Sequence, residues 1–330
     1  MITWGIVGNS HDASIAVFET KQRGLGPSEG TAKLRWAGLA KDFSKIPNDP
    51  HLNKKLIRRA MRLGKPNKVI WYERPFLKTL RQFYAGQGWL GKENNIHRYL
   101  SEYGINCPIE YTQHHLSHAA YAYYTQPHDD CAVICLDSIG EFETLTIWHG
   151  KNNKLKKIHS QGYPHSLGLF YSAMTQRMGL QAQRDEYLVA DMAAQGDPDR
   201  YTNLLLTEIV DLNQGRPFIK MRENMHRGID WWRQGEINPE DYNDLAAAVQ
   251  SVFETCLLEI HEWTLVKTKS KYLALAGGGA LNRKAVNLIR QDRYPAHVPQ
   301  NPGDPGSCVG AVLAQTKTKV TLDKQWYKAV

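Results

Sequence analysis

The sequence is poor in cysteine, with five in 330 residues. They are Cys107, Cys131, Cys135, Cys256 and Cys308, and no two are separated by two residues, as zinc ribbons and thioredoxin-like redox sites require. An odd, scattered set argues against a disulfide framework, so we expect free thiols. Cys131 and Cys135 share one face of a predicted strand, and Cys256 belongs to a helical apolar stripe, so burial explains them best.

The chain also lacks a long apolar run. Although 42% of its residues are hydrophobic, no stretch approaches the roughly 20 continuous apolar residues that span a bilayer. Residues 1–7 do not resemble a secretion signal, so we expect them to enter the fold directly as a strand. These absences predict a cytoplasmic protein without membrane contact, and the length predicts two lobes.

Acidic residues are outnumbered by basic ones, 33 against 41, which gives a formal net charge of +8. This excess suits a polyanionic partner, because Lys and Arg neutralise phosphates while exposed aromatic rings stack on bases. Basic residues concentrate at 54–62, 65–68 and 151–157, and residues 222–233 interleave Arg and His with Trp231 and Trp232. DNA is therefore one candidate partner. Each cluster taken singly also fits a solvated helix face or a hairpin turn.

The most informative feature that is present is a histidine pair. His114 and His118 lie four residues apart in a run without Gly or Pro, so a helix would present both imidazoles to one metal ion. We predict this helix from an N-cap near Thr112 to Pro127. Asp137, in the turn after a predicted buried strand at 131–136, can supply a third ligand. Histidines on helices also commonly bond a neighbour, so the pair alone leaves both interpretations open.

Two segments of the chain, 2–18 and 131–148, share the order strand, polar turn, strand. Each turn carries an acid, Asp12 in the first and Asp137 in the second. Duplicated hairpins that open two lobes are typical of actin-like and sugar-kinase-like ATPases. We therefore predict an α/β chain with duplicated RNase H-like lobes around a central cleft, an N-terminal lobe at 1–128 and a C-terminal lobe at 129–330. The polar, weakly periodic stretch at 197–241 is predicted to be an insertion that recognises substrate.

A strand at 271–276, a triple glycine and a helix at 283–291 follow one another near the end of the chain. Glycines let backbone amides approach anionic oxygens, so the stretch from Gly277 to Asn282 is a candidate nucleotide cradle, although such turns also occur for packing alone. Asp304 lies in a predicted tight turn and can add a fourth metal ligand. The remaining predicted elements are a strand at 68–73 and helices at 75–84, 167–178 and 245–263.

Taken together, nine segments in register resemble one family, the O-carbamoyltransferases of antibiotic and nodulation-factor biosynthesis, which are related to tRNA threonylcarbamoyl-adenosine transferases. The resemblance runs through nearly the whole chain. The segments are 11–14, 41–49, 72–77, 114–120, 137–141, 164–171, 185–187, 277–282 and 301–304.

This resemblance implies a metal-dependent carbamoyltransferase. Its divalent ion, Fe2+ first with Mn2+ or Zn2+ as alternatives, would be bound by His114, His118, Asp137 and Asp304. Its carbamoyl-adenylate donor, made from carbamoyl phosphate and ATP, would be bound by Ser166, Gly168, Glu186, Gly277, Gly278, Gly279 and Asn282. Its catalytic residues would be His11, Asp12 and Lys45. Two imidazoles with two carboxylates suit iron or manganese better than a thiolate-seeking metal.

The donor and the acceptor stay open. Full-length relatives carry a further adenylate-forming C-terminal domain, whereas this sequence ends at Val330, so we expect the transfer domain alone. Either a separate adenylate-forming protein supplies the donor, or carbamoyl phosphate is used directly.

The acceptor hydroxyl is a 5-hydroxymethylpyrimidine in phage-type DNA or a small sugar or antibiotic. Transfer to tRNA is disfavoured because segments 114–120 and 137–141 follow the O-carbamoyltransferase form. A non-catalytic actin-like nucleotide-binding protein, the alternative of another class, would need neither histidine.

Overall fold

The computed structural model of the protein describes residues 1–21, 31–86, 94–212, 217–291 and 296–322. Its strands are Ile2–Val7 (β1), Ser14–Lys21 (β2), Thr31–Leu39 (β3), Lys68–Trp71 (β4), Ile109–Tyr111 (β5), Cys131–Gly140 (β6), Glu143–Lys151 (β7), Lys154–Gly162 (β8), Val210–Leu212 (β9), Ile219–Met221 (β10), Leu273–Ala276 (β11) and Ala296–His297 (β12). Its helices are Ala40–Ser44 (α1), Lys54–Leu63 (α2), Pro75–Tyr84 (α3), Ile96–Ser101 (α4), His114–Tyr124 (α5), Leu167–Arg177 (α6), Glu186–Met192 (α7), Thr202–Glu208 (α8), Tyr242–Thr268 (α9), Arg283–Gln291 (α10) and Ser307–Thr316 (α11).

Two five-stranded sheets share one topology. Their strand orders are β3-β2-β1-β4-β5 and β8-β7-β6-β11-β12. In each sheet the first three strands in sequence form an antiparallel meander, and two later strands pair in parallel beyond the first of them. The predicted fold, two duplicated α/β lobes of RNase H-like form, is therefore confirmed. The predicted lobe limits remain a prediction, and residues 323–330 lie outside the described part.

Strand β6 is buried on both faces, and its side chains alternate between two hydrophobic cores. Cys131, Val133 and Cys135 join the core of the first sheet, whereas Ile134 and Leu136 join that of the second. The predicted shared face of Cys131 and Cys135 is thus confirmed. All five cysteines are free, and four are buried; Cys107 is half-buried, against the expectation of burial for all.

Helices α5 and α11 pack closely together within the first core. A Cβ at Gly310 of α11 would overlap the carbonyl oxygen of Ser117 in α5, and a Cβ at Gly5 of β1 would overlap the carbonyl oxygen of Cys308. Glycine at these two positions lets α11 lie between β1 and α5. This contact places the turn that precedes α11 beside the histidine-bearing face of α5.

Most predicted helices form, with shifted ends. Helices α3 and α10 have the predicted bounds, α6 ends one residue early, and α9 extends the predicted helix at both ends. The predicted N-cap of α5 was wrong: the helix follows Gln113, and the Thr112 hydroxyl instead donates to the carbonyl of Ala311 at 3.4 Å. None of the described helices, the long α9 included, has the apolar length for a membrane span.

The stretch at 197–241 packs into the second core instead of standing apart as a polar insertion. It contributes buried apolar residues such as Leu205, Ile219 and Met225. The guanidinium of Arg177 in α6 binds the C-terminal part of this stretch, because its Nε donates to the carbonyl of Trp232 at 2.7 Å. Its role in substrate recognition remains a prediction, and residues 213–216 lie outside the described part.

Candidate metal centre and nucleotide cradle

Four side chains predicted as metal ligands meet at one point between the lobes. His114 and His118 leave one face of α5, Asp137 comes from β6, and Asp304 begins the turn before α11. The two Nε2 atoms are 3.0 Å apart, and Asp137 Oδ2 is 3.0 Å from His114 Nε2. Asp304 Oδ1 is 3.4 Å from both imidazoles, and the four ligand atoms lie within 4.8 Å of one another.

These spacings fit a divalent ion. With ligands about 2.1 Å from a metal, neighbouring ligand atoms are about 3.0 Å apart in an octahedron and about 3.4 Å apart in a tetrahedron. The two imidazoles are almost fully buried, so little water reaches the cluster. Its two nitrogens and two carboxylate oxygens form a donor set that Fe2+, Mn2+ and Zn2+ all accept.

Charge also favours an ion here. Burial would raise the pKa of Asp137 and of Asp304, but hydrogen bonds and charge from His114 and His118 hold both pKa values well below their ordinary range. Burial would lower the pKa of each imidazole, but the carboxylates raise it, strongly for His114. With neutral imidazoles the two carboxylates give the cluster a charge of −2, which a divalent ion would balance.

Buried neighbours hold the far side of each imidazole. His118 Nδ1 is 3.2 Å from the hydroxyl of Ser307, and His114 Nδ1 is 3.8 Å from the carboxylate of Glu73. Glu73 in turn accepts a hydrogen bond from the ammonium of Lys78 at 2.7 Å. The hydroxyl of Ser307 can accept from Nδ1 of His118, and the charge of Glu73 favours a proton on Nδ1 of His114; with those protons in place, both Nε2 atoms would be free to bind a metal.

His115 belongs to α5 but not to the cluster. Its Nδ1 pairs with the hydroxyl of Thr146 at 2.9 Å. Burial and the charge of His114 lower its pKa well below the ordinary value, so the ring stays neutral. Gly140 closes the space beside both rings, because a Cβ there would overlap the ring of His114.

Asp137 lies within a strand and not in the predicted turn, because β6 continues to Gly140. Its pairing with β7 is interrupted between Leu136 and Gly140. Such a bulge turns a side chain out of the regular alternation of a strand. The carboxylate thereby reaches both the histidines, through Oδ2, and the backbone N–H of Gly278, through Oδ1 at 3.2 Å.

The predicted nucleotide cradle thus adjoins the metal centre. Gly277 has a φ of +87°, and a Cβ there would overlap the carbonyl oxygen of Leu136. A Cβ at Gly278 would lie 3.1 Å from the Asp137 carboxylate, and one at Gly279 would meet the side chain of Leu136. The glycines are therefore required by the close approach to β6, and they leave backbone amides beside the cluster.

Ser166 and Gly168, predicted to hold the adenylate, shape the start of α6. The hydroxyl of Ser166 accepts from the N–H of Leu169 at 3.0 Å and donates to the carbonyl of Ser138 at 2.7 Å. A Cβ at Gly168 would lie 2.8 Å from the Cα of Ser138. Both residues therefore fix α6 against β6, and their contact with adenylate remains a prediction.

Glu186 and Asn282 also have partners within the chain. Glu186 accepts from the hydroxyl of Ser172 at 2.8 Å. Asn282 exchanges two hydrogen bonds with the side-chain amide of Gln250, at 2.9 and 3.0 Å, and accepts from the N–H of Ala285 at the start of α10. These bonds hold α7, α9 and α10 around the cradle.

The three predicted catalytic residues have different surroundings. Asp12 binds Lys41, whose ammonium donates to Oδ2 at 2.6 Å, while Lys45 is an exposed residue that ends α1 and His11 is exposed. Oδ1 of Asp12 is buried and has no hydrogen-bond partner in the described part of the chain. Lys41 is therefore added to the candidate site as the partner of Asp12, and the catalytic roles of His11, Asp12 and Lys45 remain a prediction.

The loop that carries Asp12 is tied to the metal centre at both ends. The hydroxyl of Ser10 donates to Asp304, and that of Ser14 donates to the carbonyl of Pro305 at 2.8 Å. This places the Asp12–Lys41 pair in the same cleft as the four ligands.

The two tryptophans predicted to stack on bases differ. Trp231 is 60% exposed, but Trp232 is buried and its indole N–H donates to Glu208 at 2.9 Å. Trp232 cannot stack on a base, so that part of the prediction was wrong.

Three residues of the site were missed in the sequence, namely Lys41, Glu73 and Ser307. Lys41 and Glu73 lie inside segments that carry the family resemblance, so their place was visible and their role was not. Ser307 lies 189 positions from the histidine that it supports, and no local pattern connects the two.

Comparison with known proteins shows the family of the chain. The protein-family model described as the carbamoyltransferase N-terminus matches residues 78–313. The chain is 30% identical over 291 residues to the uncharacterized protein sll1178 of Synechocystis sp., over 74% of this chain and 46% of that protein. It is 28% identical over 213 residues to the nodulation protein NolNO of Sinorhizobium fredii, over 62% of this chain and 31% of that protein.

A two-lobed α/β protein with a metal-ligand cluster beside a glycine turn is thus defined by the fold and the site. The chain belongs to the carbamoyltransferase family, as its resemblance predicted. The matches cover less than half the length of these relatives. Among solved structures, the activator of 2-hydroxyisocaproyl-CoA dehydratase from Clostridium difficile with bound ADPNP has a TM-score of 0.49, at 11% identity over 96% of this chain and 94% of that one.

Proposed function

We propose that this chain transfers a carbamoyl group from carbamoyl-adenylate to an acceptor hydroxyl. The observation that carries the proposal is the shared carboxylate of Asp137, which contacts His114 through one oxygen and the cradle amide of Gly278 through the other. A donor whose adenylate lies on the cradle would present its carbamoyl group to the cluster. A divalent ion held by the four ligands, with Fe2+ as the first candidate, would polarise the carbamoyl carbonyl.

The chain itself would bind the donor and remove a proton. The glycine turn at 277–279 suits the phosphate of the adenylate, since glycine permits close approach of the backbone. The N–H of Gly277 donates to the carbonyl of Pro302 and that of Gly278 to Asp137, so we propose the N–H of Gly279 as the phosphate donor. The unpartnered, buried Oδ1 of Asp12 would accept the proton of the acceptor hydroxyl while Lys41 holds the other oxygen. The hydroxyl oxygen then bonds to the carbamoyl carbon, the bond from that carbon to the phosphate oxygen breaks, and AMP leaves.

As the acceptor we propose a hydroxymethylated pyrimidine in DNA. The net charge of +8 suits a polyanion. A target base would have to leave the duplex or be offered in a single strand, and the exposed ring of Trp231 is available to stack on it. A small sugar or antibiotic hydroxyl is the competing acceptor.

The test is mass spectrometry of acceptors incubated with the protein, ferrous ion and synthetic carbamoyl-adenylate. We expect a hydroxymethylated oligonucleotide to gain the mass of one carbamoyl group as AMP is released, and carbamoyl phosphate alone to be a poor donor. If carbamoyl phosphate alone were a full donor and adenine nucleotides did not compete, the cradle would be wrongly assigned.

Metal dependence is checked in the same assay with His118→Ala. This variant should fold, lose its bound ion and lose transfer, whereas His149→Ala, which removes an imidazole paired with Asp130 away from the cluster, should keep both. Stoichiometric metal that survives loss of both His114 and His118 would contradict the ligand assignment. A chain that binds nucleotide but transfers to no acceptor would favour the non-catalytic alternative.

A further inference from the structure

Helix α2 carries an unusual concentration of one charge. Five of its ten residues are Lys or Arg, and none is acidic. Four of them, Lys54, Lys55, Arg58 and Arg62, are exposed and are called the basic face below. The opposite side of the helix, with Leu56, Ile57 and Ala60, is buried.

This arrangement works against the stability of the helix. Lys54, Arg58 and Arg62 follow one another at four-residue spacing, where like charges repel. Lys54 and Lys55 also occupy the first turn, where the helix dipole disfavours positive charge. A partner that brings negative charge would relieve both effects.

Several residues of the other basic clusters are already paired with acids of the chain. In the β7–β8 hairpin, Lys151 pairs with Asp130 and Lys157 with Glu143. In the stretch at 222–233, Arg222 pairs with Asp211 and Arg233 with Glu208. For the basic face, no carboxylate of the described residues lies within 4.0 Å of any of the four charged groups, and all four belong to one helix.

The N-terminal end of α2 lies at the cleft. The Asn53 side chain caps the helix by accepting from the N–H of Leu56 at 2.9 Å, and its amide donates to the carbonyl of Ala40 at 3.1 Å. The N–H of Ala40 in turn donates to the carbonyl of Ala13 at 2.7 Å. The helix therefore starts beside the Asp12–Lys41 pair and leads away from it.

We propose that the basic face binds the phosphate backbone of acceptor DNA and so directs a target base into the cleft; its role in catalysis rests on the proposed function. Lys54 to Arg62 spans about 12 Å, along which one strand of a duplex presents about three phosphates. A row of this length suits a polymer better than a single phosphate. An anionic membrane fits less well, because no large apolar side chain of α2 is exposed.

The experiment measures binding of an unmodified duplex oligonucleotide by fluorescence anisotropy at several salt concentrations. The variant Lys54→Gln/Arg58→Gln/Arg62→Gln removes three phosphate contacts, so the log–log slope should fall by about 2.7. Raising salt from 50 to 200 mM should then weaken binding of the wild type about 40-fold more than that of the variant. The variant should unfold at the same or a higher temperature, because repulsion is removed.

The matched control is Lys267→Gln/Lys269→Gln/Lys271→Gln, which removes three exposed charges at the end of α9 in the second lobe. It should leave the slope as in the wild type. Equal losses in both variants, or an unchanged slope in the α2 variant, would overturn the proposal, as would binding of phosphatidylserine vesicles without binding of DNA.

Transfer assays separate this inference from the proposed function. With carbamoyl-adenylate, the α2 variant should keep its turnover on a free hydroxymethylated nucleoside and lose at least 10-fold on the oligonucleotide. If the protein binds DNA through the basic face but carbamoylates neither acceptor, the binding surface is supported and the proposed function is rejected. Equal turnover of the wild type and the α2 variant on the oligonucleotide would reject the role of the surface in transfer.

Discussion

At the scale of the residue, the candidate metal centre has neighbours that would not themselves bind the ion. The hydroxyl of Ser307 and the carboxylate of Glu73 face the Nδ1 atoms of His118 and His114. Ser307 hydrogen-bonds its ring, Glu73 acts on the other through its charge, and loss of a hydrogen-bonding partner of a metal-binding imidazole typically weakens metal binding 10- to 100-fold.

Ser307→Ala tests this dependence. Because the hydroxyl is fully buried against His118 Nδ1, its loss should reduce metal affinity at least 10-fold while the chain stays folded. Competition with a chelator measures the affinity. Ser270→Ala, which removes another buried hydroxyl bonded to the carbonyls of Asp130 and Tyr272, should cost similar stability and leave metal affinity intact. Equal metal affinity in both variants would show that Ser307 has no positioning role.

The histidines could be predicted because their spacing of four is a property of a single helix. Asp304 could be proposed from its turn and from the family resemblance, but its approach to His114 is set by tertiary packing across 190 positions. The partner of Asp12 was not predicted, because only the fold decides that the ammonium of Lys41 faces this carboxylate.

At the scale of the element, the α5–α11 pair determines where the ligands meet. Two ligands belong to α5, Asp304 immediately precedes α11, and Gly310 permits the close contact between the helices. Replacement of a helical glycine by alanine ordinarily stabilises a protein by up to about 1 kcal/mol. At Gly310 the tertiary contact should reverse that sign.

Gly310→Ala should therefore lower the free energy of unfolding by about 2 kcal/mol or more, because the new methyl group overlaps the backbone of Ser117. Urea unfolding measures the change, and metal affinity should fall with it as Asp304 moves away from α5. Gln315→Ala, near the end of the same helix, should change stability by less than about 0.5 kcal/mol. A stabilised Gly310→Ala variant would contradict the close packing described for α5 and α11.

Helices were easier to predict than the local geometry that positions the site. An initial proline located the start of α3, and the glycine turn located the start of α10. The extent of β6 was misjudged because Asp137, Ser138 and Gly140 are typical turn residues, whereas pairing with β7 keeps the chain in a strand as far as Gly140. Such pairing across a bulge is not encoded in local composition.

At the scale of the whole molecule, acid should destabilise the fold through a group far from the cleft. Burial, with the charges of Arg290 and Lys319, lowers the pKa of His297 to about 4. Above about pH 6.5 the imidazole is neutral in both the folded and the unfolded chain. Between pH 6.5 and 4 the unfolded chain binds a proton that the folded chain does not, so stability falls as pH falls.

His297→Gln should remove this loss. Urea unfolding at pH 7.0 and 4.5 should show a difference in stability about 2 kcal/mol smaller for the variant than for the wild type. His51→Gln, which replaces an exposed imidazole of the first lobe, should leave the difference unchanged. If His297→Gln lost as much stability between pH 7.0 and 4.5 as the wild type does, His297 would not be the cause of the loss in acid.

The position of the four ligands along the chain has a further consequence. His114 and Asp304 are 190 residues apart, and Asp137 belongs to the sheet of the other lobe from β1. Because closing a long loop costs configurational entropy that an unfolded chain would otherwise keep, one bound ion would act as a reversible cross-link. With all five thiols free, coordination would do for this chain what a disulfide does in a secreted one, and the supply of the ion would set how tightly the two lobes are held together.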